Sequence, residues 1–128
     1  MISIEDVIRL HELSIKFFGG SSGVRDTEML ESALARPFQT FGGVELYESI
    51  FEKSAALLES LVKNHPFVDG NKRTGFLAVL MLLRKNKIKV IASEAVAYDF
   101  VISVASSLIT FEETILWLQQ NSIESEHK

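Results

Sequence analysis

The chain reads as an all-α fold, a compact single-domain bundle of about six helices with one central buried helix. Three observations lead there. Apolar residues recur at three- and four-residue spacing through most of the chain. Helix-capping residues (Ser3, Asp26, Ser93 and Thr110) stand at the head of successive runs. In Thr74–Arg84, finally, Phe76, Leu77, Val79, Leu80, Met81, Leu82 and Leu83 leave little room for a polar face, as in a helix buried on most of its circumference.

Each element has its own warrant. Ser3 can cap a first helix, with Asp6 placed to complete a capping box. Ile4, Val7, Ile8, His11, Ile15 and Phe18 then share one face. The stretch Gly19-Gly20-Ser21-Ser22-Gly23 ends that helix in a loop. Asp26 caps a short second helix reaching about Ala35 and closed by Pro37. Phe38 to Val44, with a Gly pair and two aromatics, reads as a loop or short hairpin. A third helix is predicted over roughly Leu46 to Lys63, with Ile50, Leu57, Leu58 and Leu61 inward. The central helix follows the loop that begins at His65 and ends near Asn86. Ser93 caps a fifth helix, and Thr110 with Glu113 makes a capping box for a sixth over Phe111 to Gln120. Only Lys89-Val90-Ile91 hints at a strand. Residues 1–121 are thus one domain, and the polar tail 122–128 is expected to fray.

Composition narrows the function classes. The 128 residues are 47% apolar and 23% charged, an ordinary globular balance. A formal charge of −4 offers no general electrostatic case for direct nucleic-acid binding. With no cysteine, disulfide scaffolds and thiolate metal sites are excluded. Acidic Glu5 and Asp6 stand where a signal peptide would carry basic residues, and no run is long enough for a membrane span. A cytoplasmic protein with no membrane partner is expected.

One stretch does not fit the needs of packing: His65-Pro66-Phe67-Val68-Asp69-Gly70-Asn71-Lys72-Arg73. It sets a potential base, a hard oxygen ligand, a turn glycine and two cations at the N-terminal mouth of the buried helix. Free backbone N–H groups and the helix dipole favour an anion there. Lys72 and Arg73 would oppose that dipole unless something negative is bound, and a polyphosphate meets the requirement. The His65 imidazole can take a proton from an attacking hydroxyl. Pro66 biases His65 toward an extended conformation. Gly70 allows φ > 0 and hence a nest of N–H groups, and Asn71 can meet a phosphate by its amide or cap the helix. Asp69 can serve Mg²⁺ or act as the helix N-cap, and both roles are compatible. The run Gly70 to Thr74 is no P-loop ending, because the upstream glycine and preceding strand are missing. His11, on the apolar face of the first helix, reads as a hydrogen-bonded core histidine, and Arg25 with Asp26 as a cap and local ion pair.

The pattern H-P-F-x-D-G-N-K-R resembles the signature of the Fic/Doc superfamily, and specifically its death-on-curing (Doc) branch. Lys72 and Phe76 occupy positions that are usually Gly and Arg in the Fic branch. The resemblance continues upstream through Gly20, Gly23 to Asp26, Leu30 to Pro37 and Lys53 to Leu61. It implies a Fic/Doc-like helical fold and a toxin of a toxin–antitoxin pair. That toxin would transfer phosphate from ATP, with Mg²⁺, to a hydroxyl of a translation factor of the elongation factor Tu class. A cognate antitoxin peptide would be its second partner. The resemblance gives His65 the part of general base, Asp69 that of metal ligand, and Gly70, Asn71, Lys72 and Arg73 the binding of nucleotide phosphate. Phe38, Phe41 and Tyr47 correspond to a flap that docks target backbone, although ordinary packing accounts for them equally. Two other outcomes stay open: transfer of AMP in place of phosphate, and a catalytically silent module that binds antitoxin.

Overall fold

A computed structural model describes residues 1–125. Six α-helices dominate it: α1 Ile4–Phe18, α2 Thr27–Ala35, α3 Ile50–Asn64, α4 Asn71–Lys85, α5 Glu94–Ala105 and α6 Phe111–Gln120. A 3₁₀ turn, Arg36–Phe38, continues α2. Four short strands complete the described residues: β1 Thr40–Phe41, β2 Val44–Glu45, β3 Ile88–Val90 and β4 Ser122–Glu124.

The helices begin where side-chain oxygens satisfy free N–H groups. Ser3 and Asp6 form a reciprocal capping box on α1, and Thr110 with Glu113 does the same on α6. Asp26, Ser49 and Ser93 accept from Met29, Glu52 and Val96 at the heads of α2, α3 and α5. The Ser49 cap explains why α3 starts at Ile50 and not near Leu46 as its periodicity suggested.

The core is shared by α3 and α4, which lie against each other with α1, α2, α5 and α6 around them. Residues 53 to 58 of α3 are all buried, and no residue of α4 from Thr74 to Leu83 is exposed. A Cβ on Gly75 would stand 2.9 Å from Val62 Cγ1, so the absent side chain lets α4 press onto α3. Leu57, Leu58, Leu61, Val79, Leu82 and Leu83 fill this interface from both sides. Phe100 stacks on Trp117 at 3.8 Å and ties α5 to α6.

The polar tail departs from expectation. Ser122–Glu124 does not fray but forms β4, antiparallel to β3, with Lys89 opposite Ile123. The hint of a strand at Lys89-Val90-Ile91 is therefore real, shifted by one residue, and its partner comes from the tail. An isolated strand would leave its ladder groups unpaired, and β4 satisfies them. Residues 126–128 of that tail lie outside the described residues.

Candidate active site

The His65–Gly70 loop is fixed by its neighbours before any ligand is considered. Phe67 is buried and stacks on His11 at 4.0 Å with nearly parallel rings. His11 Nε2 donates to the carbonyl of Asp69 at 2.7 Å and pins the loop from below. Asn71 grips the same loop: its Oδ1 accepts from the N–H of Phe67 at 2.9 Å, and its Nδ2 donates to the Phe67 carbonyl at 3.1 Å. The 19–26 segment closes the frame. Arg25 and Asp26 N–H groups donate to the Pro66 carbonyl, and Val68 N–H donates to the carbonyl of Gly23.

His65 ends α3 with φ 50° and ψ 58°, a left-handed residue and not the extended one that the following proline suggested. The proline disfavours the right-handed helical region, and a helix C-terminus offers the left-handed turn as the alternative. Arg25 holds it there, with Nε donating to the His65 carbonyl at 2.7 Å and Nη2 to the Asn64 carbonyl at 2.8 Å. Arg25 is thus the C-terminal cap of α3, and its expected ion pair with Asp26 is not among the described contacts. The His65 imidazole itself is exposed to solvent.

Beyond the loop, the head of α4 opens into a cleft of about 400 Å³ lined by Phe18, Gly19, Gly20, Asp69, Gly70, Asn71, Lys72, Arg73, Tyr98 and Ile102. Gly70 precedes α4 with φ 74°, and alone among the six α-helices this one has no side-chain cap in the described residues. Its first-turn N–H groups are therefore left to solvent or to an anion. Arg73 donates to the carbonyls of Gly19 at 2.8 Å and Phe18 at 3.4 Å, which orders the end of α1 and leaves further guanidinium donors. Lys72 is exposed. Asp69 accepts from Ser21 N–H at 3.2 Å and Gly70 N–H at 2.8 Å. Those two bonds, Ser21 first, together with Arg73 and His11 hold its carboxyl below the ordinary carboxylate value. Each of its oxygens accepts one of these bonds and keeps a second lone pair, and the residue is exposed. A single ionised carboxylate beside a helix head able to take phosphate suits Mg²⁺, which takes most of its ligands from phosphates and water.

The predicted residues are only partly gathered. Asp69, Gly70, Asn71, Lys72 and Arg73 line one cleft, whereas His65 stands at the opposite end of the loop and does not line it. Asn71 reaches the cleft, but both atoms of its amide are already committed to Phe67, which leaves its backbone N–H for an anion. Of the three flap aromatics only Phe41, 80% exposed, is presented to solvent. Phe38 packs on the core. Tyr47 is half-buried, its hydroxyl accepting from Arg36 Nε at 3.1 Å. His11, Gly20, Tyr98 and Ile102 belong to the site without having been assigned to it. Gly20 carried a signal, its place in the family resemblance, and the structure shows its use: a Cβ there would lie 2.6 Å from Asp69 Oδ2. Tyr98 and Ile102 carried none, because α5 reaches the cleft only through tertiary packing.

Comparison with known proteins places the chain in a family. The sequence model of the Fic/DOC family covers residues 1–83 of the chain. The chain belongs to the Fic/DOC family. It is 43% identical over 88 residues, 69% of its length, to "Toxin Doc" of Mycolicibacterium smegmatis. That match spans 65% of the relative, just under two thirds of its length. It is also 34% identical over 109 residues, 85% of either chain, to "Protein kinase doc" of Escherichia phage P1. Both relatives carry the Doc name, so the chain falls in the Doc branch of the Fic/DOC family.

Proposed function

We propose that this Fic/DOC chain is the toxin of a toxin–antitoxin pair and that it transfers the γ-phosphate of ATP to a hydroxyl of a target protein. A translation factor of the elongation factor Tu class is the target the family pattern favours. The observation that carries the reading is the uncapped head of α4, with Gly70, Lys72 and Arg73 around it and a carboxylate alongside. The names of the relatives, a toxin and a protein kinase, agree with it.

In this reading the triphosphate lies on the N–H groups of Asn71, Lys72 and Arg73, with the two cations neutralising its oxygens. Asp69 would hold Mg²⁺, which supplies charge neutralisation on the phosphates when bound. The target hydroxyl gives its proton to His65, its oxygen bonds to the γ-phosphorus, and the bond to the β-phosphate oxygen breaks to release ADP. In-line displacement needs the attacking oxygen opposite the β-phosphate oxygen on the γ-phosphorus, so in this reading the γ-phosphate extends from the cleft along the loop toward His65. Phe76 contributes no charge to distal phosphates, and Lys72 fills space that glycine would leave open. Both substitutions favour a nucleotide pose different from that of AMP transfer.

Radiolabelled ATP tests this. Incubated with the chain and purified elongation factor Tu, γ-labelled ATP should pass its label to the factor and α-labelled ATP should not. Transfer of the α-label would establish AMP transfer instead. No transfer of either label, from a folded protein that binds an antitoxin peptide, would leave the silent binding module.

A further inference from the structure

Residues 39 to 46 are all exposed, eight in a row, and they carry the β1–β2 hairpin away from the body of the fold. Two strand pairs and one further bond, Leu46 N–H to the Gln39 carbonyl at 3.0 Å, hold it together. A two-stranded hairpin of that size is not stable by itself in water, so its position must be set from its base. The base contains an unusual residue. Lys53 lies on the first turns of α3 and is 7% exposed, although lysine is almost never buried without a partner. Its ammonium donates to the carbonyls of Tyr47 and Glu48, lies 3.1 Å from the Glu45 carboxylate, and sits 6.0 Å from the centre of the Phe38 ring. All four contacts belong to the hairpin or its two ends, and none of them lies in the nucleotide cleft.

We propose that Lys53 is a positioning residue for target docking: its buried ammonium latches both ends of the 38–48 flap to the helix that terminates in His65. This rests on the phosphotransfer reading, in which the flap presents the target hydroxyl to His65. α3 runs unbroken from Lys53 to Asn64, so the flap and the base share one rigid element. Core packing alone would be met by methionine or leucine at this position. The ammonium is explained by the three flap oxygens around it. Arg36, through the Tyr47 hydroxyl, holds the same base from the side of the 3₁₀ turn.

Two measurements on Lys53→Met and Lys53→Arg test the latch. Hydrogen exchange in the whole protein should be roughly tenfold faster for the amides of residues 40–47 in Lys53→Met, the scale of losing one charged hydrogen bond, with α4 amides unchanged. In label transfer from ATP, Lys53→Met should raise KM for elongation factor Tu roughly tenfold. Its KM for ATP and its kcat should stay within about twofold, and Lys53→Arg should recover most of the loss. Unchanged flap exchange in a folded Lys53→Met overturns the latch whatever the activity. Faster flap exchange with KM for the factor unchanged overturns its role in docking. Wild-type protein that labels no factor overturns the phosphotransfer reading and the docking role with it.

Discussion

His65 and Asp69 stand four residues apart and are held by different parts of the chain. Arg25 fixes the backbone of His65 through its carbonyl and leaves the ring free. The Asp69 carboxylate is fixed through Ser21 and Gly70. Between them Phe67 is locked from both sides, by the His11 ring and by the Asn71 amide, so the two ends of the loop cannot drift independently. This separation of supports allows a clean test of the base. His65→Ala removes an exposed ring that holds nothing in place, so Tm should change by less than about 2 °C. Label transfer should fall by roughly 10²–10⁴, the usual contribution of a positioned base. Calorimetry and transfer on one preparation check both parts, and undiminished transfer would remove His65 from the chemistry.

At the scale of the element, α1 is the loop's floor, and its own head is secured by charge. The Asp6 carboxyl accepts from the Ser3 N–H, faces Lys85 at 3.4 Å, and is held below the ordinary carboxylate value by Ser3 first and Lys85 after it. Its folded-state pKa being depressed, the unfolded chain binds the proton more readily, and stability rises with pH through that window. The contribution is complete above the ordinary carboxylate value and is lost as pH falls through the lower folded value. Wild-type Tm should therefore drop on acidification below about pH 4. Asp6→Asn should show a shallower drop there while melting lower at neutral pH; parallel curves for the two proteins would refute the linkage. The periodicity of α1 and both halves of its capping box were legible in the sequence because they depend on neighbours three and four residues away. The start of α3 was less so. Apolar spacing continued back to Leu46, and the helix waits for the Ser49 cap while Lys53 holds residues 45 to 48 outside it.

Across the whole molecule, both ends of the described residues are tied to α4 or to the strand that follows it. The Met1 carbonyl accepts from Lys85 at 3.3 Å, and β4 pairs with β3 immediately after α4. Ser125 N–H adds a bond to the Lys87 carbonyl at 2.7 Å. Removing residues 122–128 should thus cost more than a frayed tail would. It exposes the β3 edge and weakens the packing of α6, with an expected loss of about 1–3 kcal/mol from the unpaired strand groups. Urea unfolding of the truncated chain checks this, and a midpoint equal to that of the full chain would show β4 to be dispensable.

The sequence alone was enough for the six helices, the caps at Ser3, Asp26, Ser93 and Thr110, and the nine-residue signature, because each rests on contacts within one turn or one loop. It also pointed to the head of α4 as a candidate anion site, since two cations against a helix dipole are a local contradiction. Tertiary structure alone decided which of those residues are free to act. Asn71 turned inward to Phe67 and Arg73 across to the end of α1, while His11, Tyr98 and the tail strand arrived from distant parts of the chain. No spacing rule encodes such meetings, because they follow from how whole helices pack. A side chain's identity states what it can bond to, and only the fold states which partner reaches it first.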